Sequence, residues 1–191
     1  MNEKDILKVS ARCGYPSQQA VALKNEASGR EYWRLIQEDA SFILCFLDPQ
    51  KGSHAQFIKI ANIFSEHQIN SPKVLNNFPE LGITIQDDLG DMNLLQVGNS
   101  IGYEELTLKC LDLLIEIQTI PNLNIPSLES ADLLNQMMLF SEIFCNQFLD
   151  VKVDSSIEKL IEKASTELST QPYVNCHFDF ERRNLILSET N

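Results

Sequence analysis

The hydrophobic pattern of this chain changes its period once, and that change limits the folds available to it. Up to Gln86, short runs of β-branched and aromatic residues alternate with turn residues, which is typical of strands. From Tyr103 onward, apolar residues recur at i, i+3, i+4 and i+7, which is the spacing of amphipathic helices. We therefore expect an α+β fold, with a sheet-rich N-terminal lobe over residues 1–88 and a mainly helical C-terminal lobe over residues 89–191.

The N-terminal lobe is expected to hold a five-stranded antiparallel sheet with one inserted helix. A short leading helix is predicted over residues 3–13. The predicted strands are residues 20–23, 32–36, 41–47, 73–75 and 81–86, with a turn at residues 76–79. The inserted helix follows Ser53, because an apolar stripe begins there that consists of Phe57, Ile60, Ala61 and Phe64.

Three amphipathic helices are predicted in the C-terminal lobe. The first begins near Tyr103 and is closed by Pro121, the second begins at Ser130, and the third covers Ser155–Leu168. The residues expected to face inward are Leu106, Cys110, Leu113, Leu114 and Ile117 in the first helix, Leu133, Met137, Phe140, Phe144 and Phe148 in the second, and Ile157, Leu160, Ile161, Ala164 and Leu168 in the third.

Composition disfavours two classes of partner. With 191 residues, 43% of them apolar, the chain can bury a sizeable core. Its 27 acidic and 15 basic side chains give a net charge of -12, which repels nucleic acid and anionic membrane surfaces and suits a neutral or cationic small molecule. Scattered cysteines, a polar N-terminus and the lack of a long apolar run predict a cytoplasmic protein with reduced thiols.

One polar stretch near the C-terminus carries residue types that perform chemistry. His177, Asp179 and Asn184 stand in the pattern H-x-D-x-x-x-x-N, directly before the apolar run at residues 185–187. In phosphoryl transfer by kinases, such an aspartate orients the attacking hydroxyl, and the asparagine holds a magnesium ion on the nucleotide phosphates. The apolar run would anchor the far end of the loop as a buried strand.

Coincidence and a purely structural role are the alternatives for this stretch. Random placement of the three His, eleven Asp and fifteen Asn gives roughly 0.01 matches to the pattern. In the structural interpretation, Asp179 caps a local amide in an exposed turn, and Arg182 and Arg183 merely face solvent.

The order of the predicted elements, together with this loop, resembles the two-lobe protein-kinase-like fold. The likeness is closest to the aminoglycoside phosphotransferase family, and within it to the bacterial kinases of N-acetylmuramate and N-acetylglucosamine. Besides the loop, it is carried by residues 27–35, 57–72, 87–91 and 139–142. The resemblance implies ATP and Mg2+ as cofactors and an amino sugar or aminoglycoside as the substrate.

The resemblance also implies roles for individual residues. Asp179 would be the catalytic base, Asn184 a magnesium ligand and His177 a residue that orders the loop. Arg182, or Arg183, would neutralise phosphate charge, although a solvent-facing or loop-bracing role is equally open. The residues assigned to the nucleotide are Ser28, Gly29 and Arg30 in a phosphate-covering flap, and Gln86, Asp87 and Asp88 at the adenine edge. Asp87, Asp88 and Asp91 could instead cap the following turn and helix.

Two departures from the family pattern limit what the resemblance implies. The third predicted strand contains no lysine to hold the α- and β-phosphates, so Arg30 or Arg34 is a candidate for the missing charge. Family members also continue to a further strand and an Asp-Phe-Gly-like turn, whereas this sequence ends at Asn191. We therefore expect a truncated chain, a partial gene or a degenerate member, with an incomplete C-terminal lobe.

The leading expectation is an ATP- and Mg2+-dependent phosphotransferase that acts on a hydroxyl of a small sugar-like substrate. An amino sugar is the first choice and an aminoglycoside the second. A nucleotide-binding pseudokinase, or an inactive fragment that serves as an interaction module, is the alternative. A mixed α+β protein whose loop match is coincidental is a third possibility. The oligomeric state and the choice between ATP and GTP stay open.

Overall fold

The computed structural model describes residues 1–23, 29–98, 102–121 and 123–188. Contacts between Cα atoms group the chain into two compact units, one formed by Met1–Pro121 with Asn175–Asn191 and the other by Asn122–Val174. The second unit is thus an insertion in the sequence of the first. The lobe boundary predicted near residue 88 is a division by composition and function, and it stays a prediction.

A five-stranded antiparallel sheet forms the centre of the first unit. Its strands are β1 (Gln19–Ala22), β2 (Glu31–Ile36), β3 (Ser41–Phe46), β4 (Val74–Phe78) and β5 (Ile83–Asp87). They lie in the order β1-β2-β3-β5-β4, and every neighbouring pair is antiparallel. The predicted five-stranded antiparallel sheet and α+β class are confirmed.

One face of the sheet packs against the leading helix α1 (Glu3–Arg12). The side chain of Asn2 caps this helix by accepting a hydrogen bond from the Asp5 amide at 3.0 Å. The core between helix and sheet is formed by Ile6, Val9, Cys13, Ala20, Trp33, Leu35, Leu44, Ile83 and Ile85. Each fully buried aliphatic side chain contributes about 1.5–3 kcal/mol of hydrophobic stabilisation.

The opposite face of the sheet is more polar, because side chains alternate between the faces along a strand. Tyr32 and Arg34 of β2, Cys45 of β3, and Thr84 and Gln86 of β5 lie on this face. Cys45, Thr84 and Gln86 are nevertheless buried. The sheet face opposite α1 therefore carries a polar strip that is largely buried.

The inserted helix, α2 (Ala55–Glu66), follows β3 as predicted. Ala61 is its buried residue, and Phe57, Ile60 and Phe64 are half-buried beside it. His54 precedes the helix and is also buried, with its Nε2 atom 3.1 Å from the Gly82 carbonyl oxygen. The predicted stripe is therefore confirmed as the packed side of α2.

The turn predicted at residues 76–79 is displaced in the structure. β4 continues through Phe78, and a short 3-10 turn, Pro79–Leu81, connects it to β5. Gly82 then adopts a positive φ of 62°, and a Cβ atom built there would lie 2.0 Å from the Leu47 carbonyl oxygen. The glycine makes the late turn possible, and the Asn-Asn pair at residues 76 and 77 is part of the strand.

Two helices follow β5 in the first unit. The short helix α3 (Leu94–Val97) was not predicted, and its start is fixed by a capping box between Asn93 and Gln96. Helix α4 (Tyr103–Thr119) is the first predicted helix. Its less exposed side coincides with the predicted inward residues, of which Ile117 is fully buried.

The second unit contains α5 (Ser130–Leu139), a π-helical segment over Phe140–Phe148, and α6 (Ser155–Leu168). The prediction that Phe140, Phe144 and Phe148 face inward is wrong, since all three are exposed and Ser141 and Cys145 are buried instead. A π-helical turn holds more residues than an α-helical turn, so residues four apart lie almost above one another. The three rings accordingly stack, with centroids 5.8 and 6.0 Å apart.

The predicted inward face of α6 is also partly wrong. Ile161 is buried and Ala164 half-buried, but Ile157, Leu160 and Leu168 are exposed. Within its unit, α6 packs against α5, and a single partner helix covers only a narrow stripe.

In the part of the chain that the structure describes, no helix is long and apolar enough to cross a membrane.

Candidate active site

The far end of the loop at residues 177–184 is tied to the segment before and within α3. Ile186 and Asn93 form an antiparallel bridge, flanked by hydrogen bonds from the Leu94 amide to the Leu185 carbonyl at 2.9 Å and from the Leu187 amide to the Met92 carbonyl at 2.7 Å. The apolar run after Asn184 therefore anchors the loop, but the expected buried strand is wrong, because the anchor is a short bridge in which Ile186 is exposed and Leu185 and Leu187 are half-buried.

The near end of the loop is held by Asn175, which sequence reasoning did not single out. Its Nδ2 atom lies within hydrogen-bond distance of three carbonyl oxygens at the end of α4, those of Ile117, Gln118 and Ile120, at 3.1, 3.3 and 2.8 Å. The last carbonyls of a helix have no partner within the helix, so a side-chain amide can satisfy them. A lone Asn in the otherwise apolar approach to the loop was the available signal.

Inside the loop, the structure brings Asp179 and Asn184 together. Asn184 Nδ2 donates to the Asp179 carboxylate at 2.8 Å and to its backbone carbonyl at 3.0 Å. The Asp179 carbonyl also accepts from the Glu181 amide at 3.0 Å, and the Asn184 amide donates to the Glu181 carbonyl at 2.9 Å. These bonds close a tight turn that leaves the side chains of Asp179 and Asn184 exposed.

Backbone geometry contributes to this arrangement. Phe178, between His177 and Asp179, has a positive φ of 65°, a conformation that costs a non-glycine residue roughly 1–2 kcal/mol. The His177 ring contacts the edge of the Phe180 ring, with centroids 5.7 Å apart. This contact suits the loop-ordering role that the family likeness implies for His177.

The two arginines of the loop differ in their contacts. Arg182 Nη1 donates to the Tyr103 hydroxyl at 3.2 Å, and the Arg182 carbonyl accepts from the Leu95 amide at 3.3 Å. Arg183 pairs with Glu181 at 2.7 Å on the exposed side of the loop. Both sets of contacts fit the loop-bracing alternative, and a role for Arg182 in binding phosphate stays a prediction.

The candidate flap is described only in part, because Ser28 lies outside the described residues. Gly29 has a positive φ of 71°, and no heavy atom lies within 4 Å of a Cβ built there. Arg30 is half-buried, and in the described part of the chain its buried Nε atom has no hydrogen-bond partner. The described residues therefore leave this buried Arg30 donor without a partner.

Beside Arg30 lie Tyr32 and Cys45, which face each other across β2 and β3. Burial raises the pKa of Tyr32 to about 12, and Cys45 adds to this effect while Arg30 opposes it. Burial also raises the pKa of the Cys45 thiol to about 11 against the opposing effects of Tyr32, Arg30 and Thr84. The higher pKa values keep both side chains neutral further into the alkaline range than their ordinary values would.

The residues expected at the adenine edge have other partners for their side chains. Gln86 Nε2 donates to the Thr84 hydroxyl at 3.0 Å, and an Asp87 carboxylate oxygen accepts from the Lys73 amide at 3.3 Å. The Asp88 carboxylate accepts from the Gly90 amide at 3.0 Å and so caps the turn after β5. Contact with adenine through the backbone of these residues stays a prediction.

Arg34 is engaged by two carboxylates. Its Nε and Nη2 atoms donate to the two Asp88 oxygens at 2.6 and 3.0 Å, and its Nη1 donates to Asp91 at 2.6 Å. Burial alone would raise the pKa of the Asp88 carboxyl. Hydrogen bonds from Arg34, Ser41 and the Gly90 amide have the larger combined effect, and the pKa lies below its ordinary value. The Asp91 pKa is lowered chiefly by its Arg34 hydrogen bond.

The loop offers oxygen donors of the kind that Mg2+ accepts. Asn184 uses its Nδ2 atom towards Asp179, which leaves its Oδ1 oxygen, together with the Asp179 carboxylate, as potential ligands. Within the described ranges, no group of three or more His, Cys, Asp or Glu side chains could hold a metal ion. This partial donor set fits Mg2+, which commonly keeps several waters and binds substrate phosphates.

Comparison with known sequences gives similarity to named kinases. No family model matches the chain. It is 26% identical over 181 residues to an N-acetylmuramate/N-acetylglucosamine kinase of Pseudomonas aeruginosa, covering 92% of this chain and 54% of that protein. It is 28% identical over 173 residues to the same-named kinase of Neisseria meningitidis serogroup B, covering 85% and 51%. The chain thus spans about half the length of these curated relatives.

Comparison with solved structures gives the fold. A spectinomycin phosphotransferase in complex with ADP and spectinomycin matches with a TM-score of 0.63 at 13% identity, over 98% of this chain and 66% of that one. An ethanolamine kinase of Plasmodium vivax matches with a TM-score of 0.57 at 15% identity, over 87% and 52%. The predicted resemblance to amino-sugar kinases in sequence and to aminoglycoside phosphotransferases in structure is confirmed, and the chain has the protein-kinase-like α+β fold.

Proposed function

We propose that this chain is an ATP- and Mg2+-dependent phosphotransferase that transfers a phosphoryl group to a hydroxyl of a small sugar-like molecule. The first-choice substrate is an amino sugar such as N-acetylmuramate or N-acetylglucosamine, and an aminoglycoside is the second. The hydrogen bond between Asp179 and Asn184 is the observation that carries the proposal. It joins the two side chains that this chemistry requires, at the spacing that it requires.

Each of the two side chains has a distinct task in this proposal. The exposed Asp179 carboxylate orients the acceptor hydroxyl and accepts its proton, while the hydrogen bond from Asn184 holds that carboxylate in place. The Asn184 Oδ1 oxygen is the group that would hold Mg2+. When bound, the ion would neutralise charge on the nucleotide phosphates. Positioning and charge neutralisation account for most of the catalysis in this class of reaction.

The nucleotide is proposed to be ATP, with its phosphates near the flap. Gly29, with its open surroundings and positive φ, permits close backbone approach, and Arg30 beside it supplies positive charge, with a buried Nε atom that has no partner within the described residues. Of the two arginines considered for the missing strand lysine, Arg30 is favoured, since the guanidinium of Arg34 is held by Asp88 and Asp91. The ADP in the similar spectinomycin phosphotransferase supports an adenine nucleotide.

The choice of an amino sugar rests on the names of the two sequence relatives, and that of an aminoglycoside on the similar structure. The net charge of -12 suits a neutral sugar or a cationic aminoglycoside and opposes binding to nucleic acid or anionic membranes. The proposal includes a cytoplasmic location, with which the five cysteine thiols agree.

The substitution Asp179→Asn tests the mechanism. We expect phosphorylation of N-acetylglucosamine or N-acetylmuramate, measured with ATP and Mg2+, to fall by about 10²–10⁴-fold, because the amide cannot accept the proton. ATP affinity, measured by titration calorimetry, should stay within about twofold, since general-base catalysis acts on the chemical step. Asp112→Asn, which changes an exposed carboxylate on α4, is the matched control. Undiminished turnover in the Asp179→Asn protein would refute the mechanism.

A nucleotide-binding pseudokinase is the second candidate. It is favoured by the lack of a lysine in β3 and by the engagement of Arg34 in ion pairs. It predicts thermal stabilisation by ATP and Mg2+ without phosphorylation of any amino sugar or aminoglycoside. Turnover that depends on Asp179 would exclude it.

A further inference from the structure

Arg34 joins strand β2 to both sides of the turn that follows β5. Its contact with Asp88 is a two-bond fork on a side chain that is only 5% exposed, whereas Asp91 is 73% exposed. A planar guanidinium that forms such a fork fixes the orientation of its partners as well as their charge. Arg34 thus fixes where the backbone at residues 88–91 leaves the sheet.

That backbone leads directly into the part of the chain that anchors the loop. Asp91 is followed by Met92, whose carbonyl accepts from the Leu187 amide, and by Leu94, whose amide donates to Leu185. A continuous series of contacts therefore runs from β2 through Arg34 and Asp91 to the residues just after Asn184. The sheet and the loop are connected through one arginine and a short stretch of extended chain.

We propose that Arg34 is a positioning residue for phosphotransfer, which holds the catalytic loop in a fixed relation to the nucleotide side of the sheet. That the loop serves phosphotransfer rests on the function proposed above. The structural connection between Arg34 and the loop does not depend on that function. Arg34 touches neither reacting group in this proposal. It acts through Asp91 and the bridge between residues 92–94 and 185–187.

The first measurement needs no ligand. In Asp91→Asn, which keeps the fork to Asp88, we expect the amides of Leu94 and Leu187 to exchange with deuterium about tenfold faster, since a hydrogen bond between charged groups is lost. Amides of β3 should keep their protection. Glu105→Gln is the matched control, because Glu105 is 72% exposed and also forms an ion pair, with Lys109 at 3.0 Å. Arg34→Lys keeps the charge without the fork and should loosen the same amides.

The second measurement is ATP binding and turnover for each variant, normalised to folded protein. We expect Asp91→Asn and Arg34→Lys to raise the ATP dissociation constant or lower kcat by about tenfold, and Glu105→Gln to change neither. Unchanged exchange at Leu94 and Leu187 would overturn the connection. Faster exchange with unaltered ATP binding and kcat would overturn the positioning role. If the parent protein does not bind ATP, the proposed function fails, while the exchange data still decide whether Arg34 holds the loop.

Discussion

At the scale of single residues, Gly82 shows that the lack of a Cβ atom can determine where a turn forms. Its positive φ and the nearby Leu47 carbonyl leave no room for a Cβ atom. The consequence is that β4 runs through both asparagines before the chain reverses.

We predict that Gly82→Ala destabilises the protein by about 2–4 kcal/mol, because strain at positive φ adds to steric overlap with backbone. Urea unfolding followed by circular dichroism measures the change. Gly14→Ala is the control, since Gly14 also has a positive φ, 86°, but no atom lies within 4 Å of a Cβ there. It should cost only about 1 kcal/mol. Equal losses in the two variants would show that the overlap does not matter.

The spacing of residues in the sequence predicted the contacts within the loop at residues 177–184 better than it predicted the turn between β4 and β5. The pattern of His177, Asp179 and Asn184 identified side chains that do meet, because a short loop fixes its own geometry. The partners of Asn175 and Arg34 were not predictable in this way. They lie 55 and 54 positions away in sequence, at Ile120 and Asp88, and only the fold brings them into contact.

At the scale of elements, the end of α4 and the start of the loop depend on each other through Asn175. A single side-chain amide faces three helix-terminal carbonyls. Removing this amide would therefore leave the three carbonyl oxygens without their hydrogen-bond donor. It would also free the segment that leads to His177.

We predict that Asn175→Ala lowers stability by about 1–2 kcal/mol, and that Asn175→Asp lowers it further, because a carboxylate is repelled by the carbonyl end of a helix. Hydrogen exchange at the Glu181 and Asn184 amides should accelerate in both variants. Asn62→Ala, at an exposed position of α2, serves as the comparison and should change stability by less than about 0.5 kcal/mol. Unaltered exchange in the loop would mean that Asn175 only caps the helix.

Helical periodicity predicted α4 well and the second unit poorly. In α4 an ordinary 3.6-residue repeat holds to the end, so the stripe that ends at Ile117 is the packed side. In Phe140–Phe148 the winding widens, and the residues at i+4 spacing turn outward. A period read from the sequence assumes α-helical winding, and it misplaces side chains wherever the winding changes.

At the scale of the whole molecule, buried neutral groups make stability sensitive to high pH. The Cys45 pKa is about 11 in the folded protein, compared with an ordinary value of 9.0. The unfolded chain therefore loses its proton first as the pH rises, and the contribution of this thiol to stability is complete below pH 9 and lost by about pH 11.

We predict that the free energy of unfolding falls by about 2–3 kcal/mol between pH 9 and 11 on account of Cys45. Urea unfolding under reducing conditions at pH 8, 9 and 10 measures the slope. Cys45→Ala should flatten it, whereas Cys176→Ala, which removes an exposed thiol, should leave it as steep as in the parent. A decline that is equally steep without Cys45 would assign the effect to other groups.

The insertion of one unit into the sequence of the other has a consequence for how such a protein can diversify. The chain leaves the first unit after Pro121 and re-enters it at Asn175, whose side chain donates a hydrogen bond at 2.8 Å to the carbonyl of Ile120, the residue before Pro121. Because the exit and the return are side by side, residues 122–174 can lengthen, shorten or be exchanged without separating the ends that border the loop. Natural variation in that interval is therefore compatible with an unchanged backbone at the two ends of the segment.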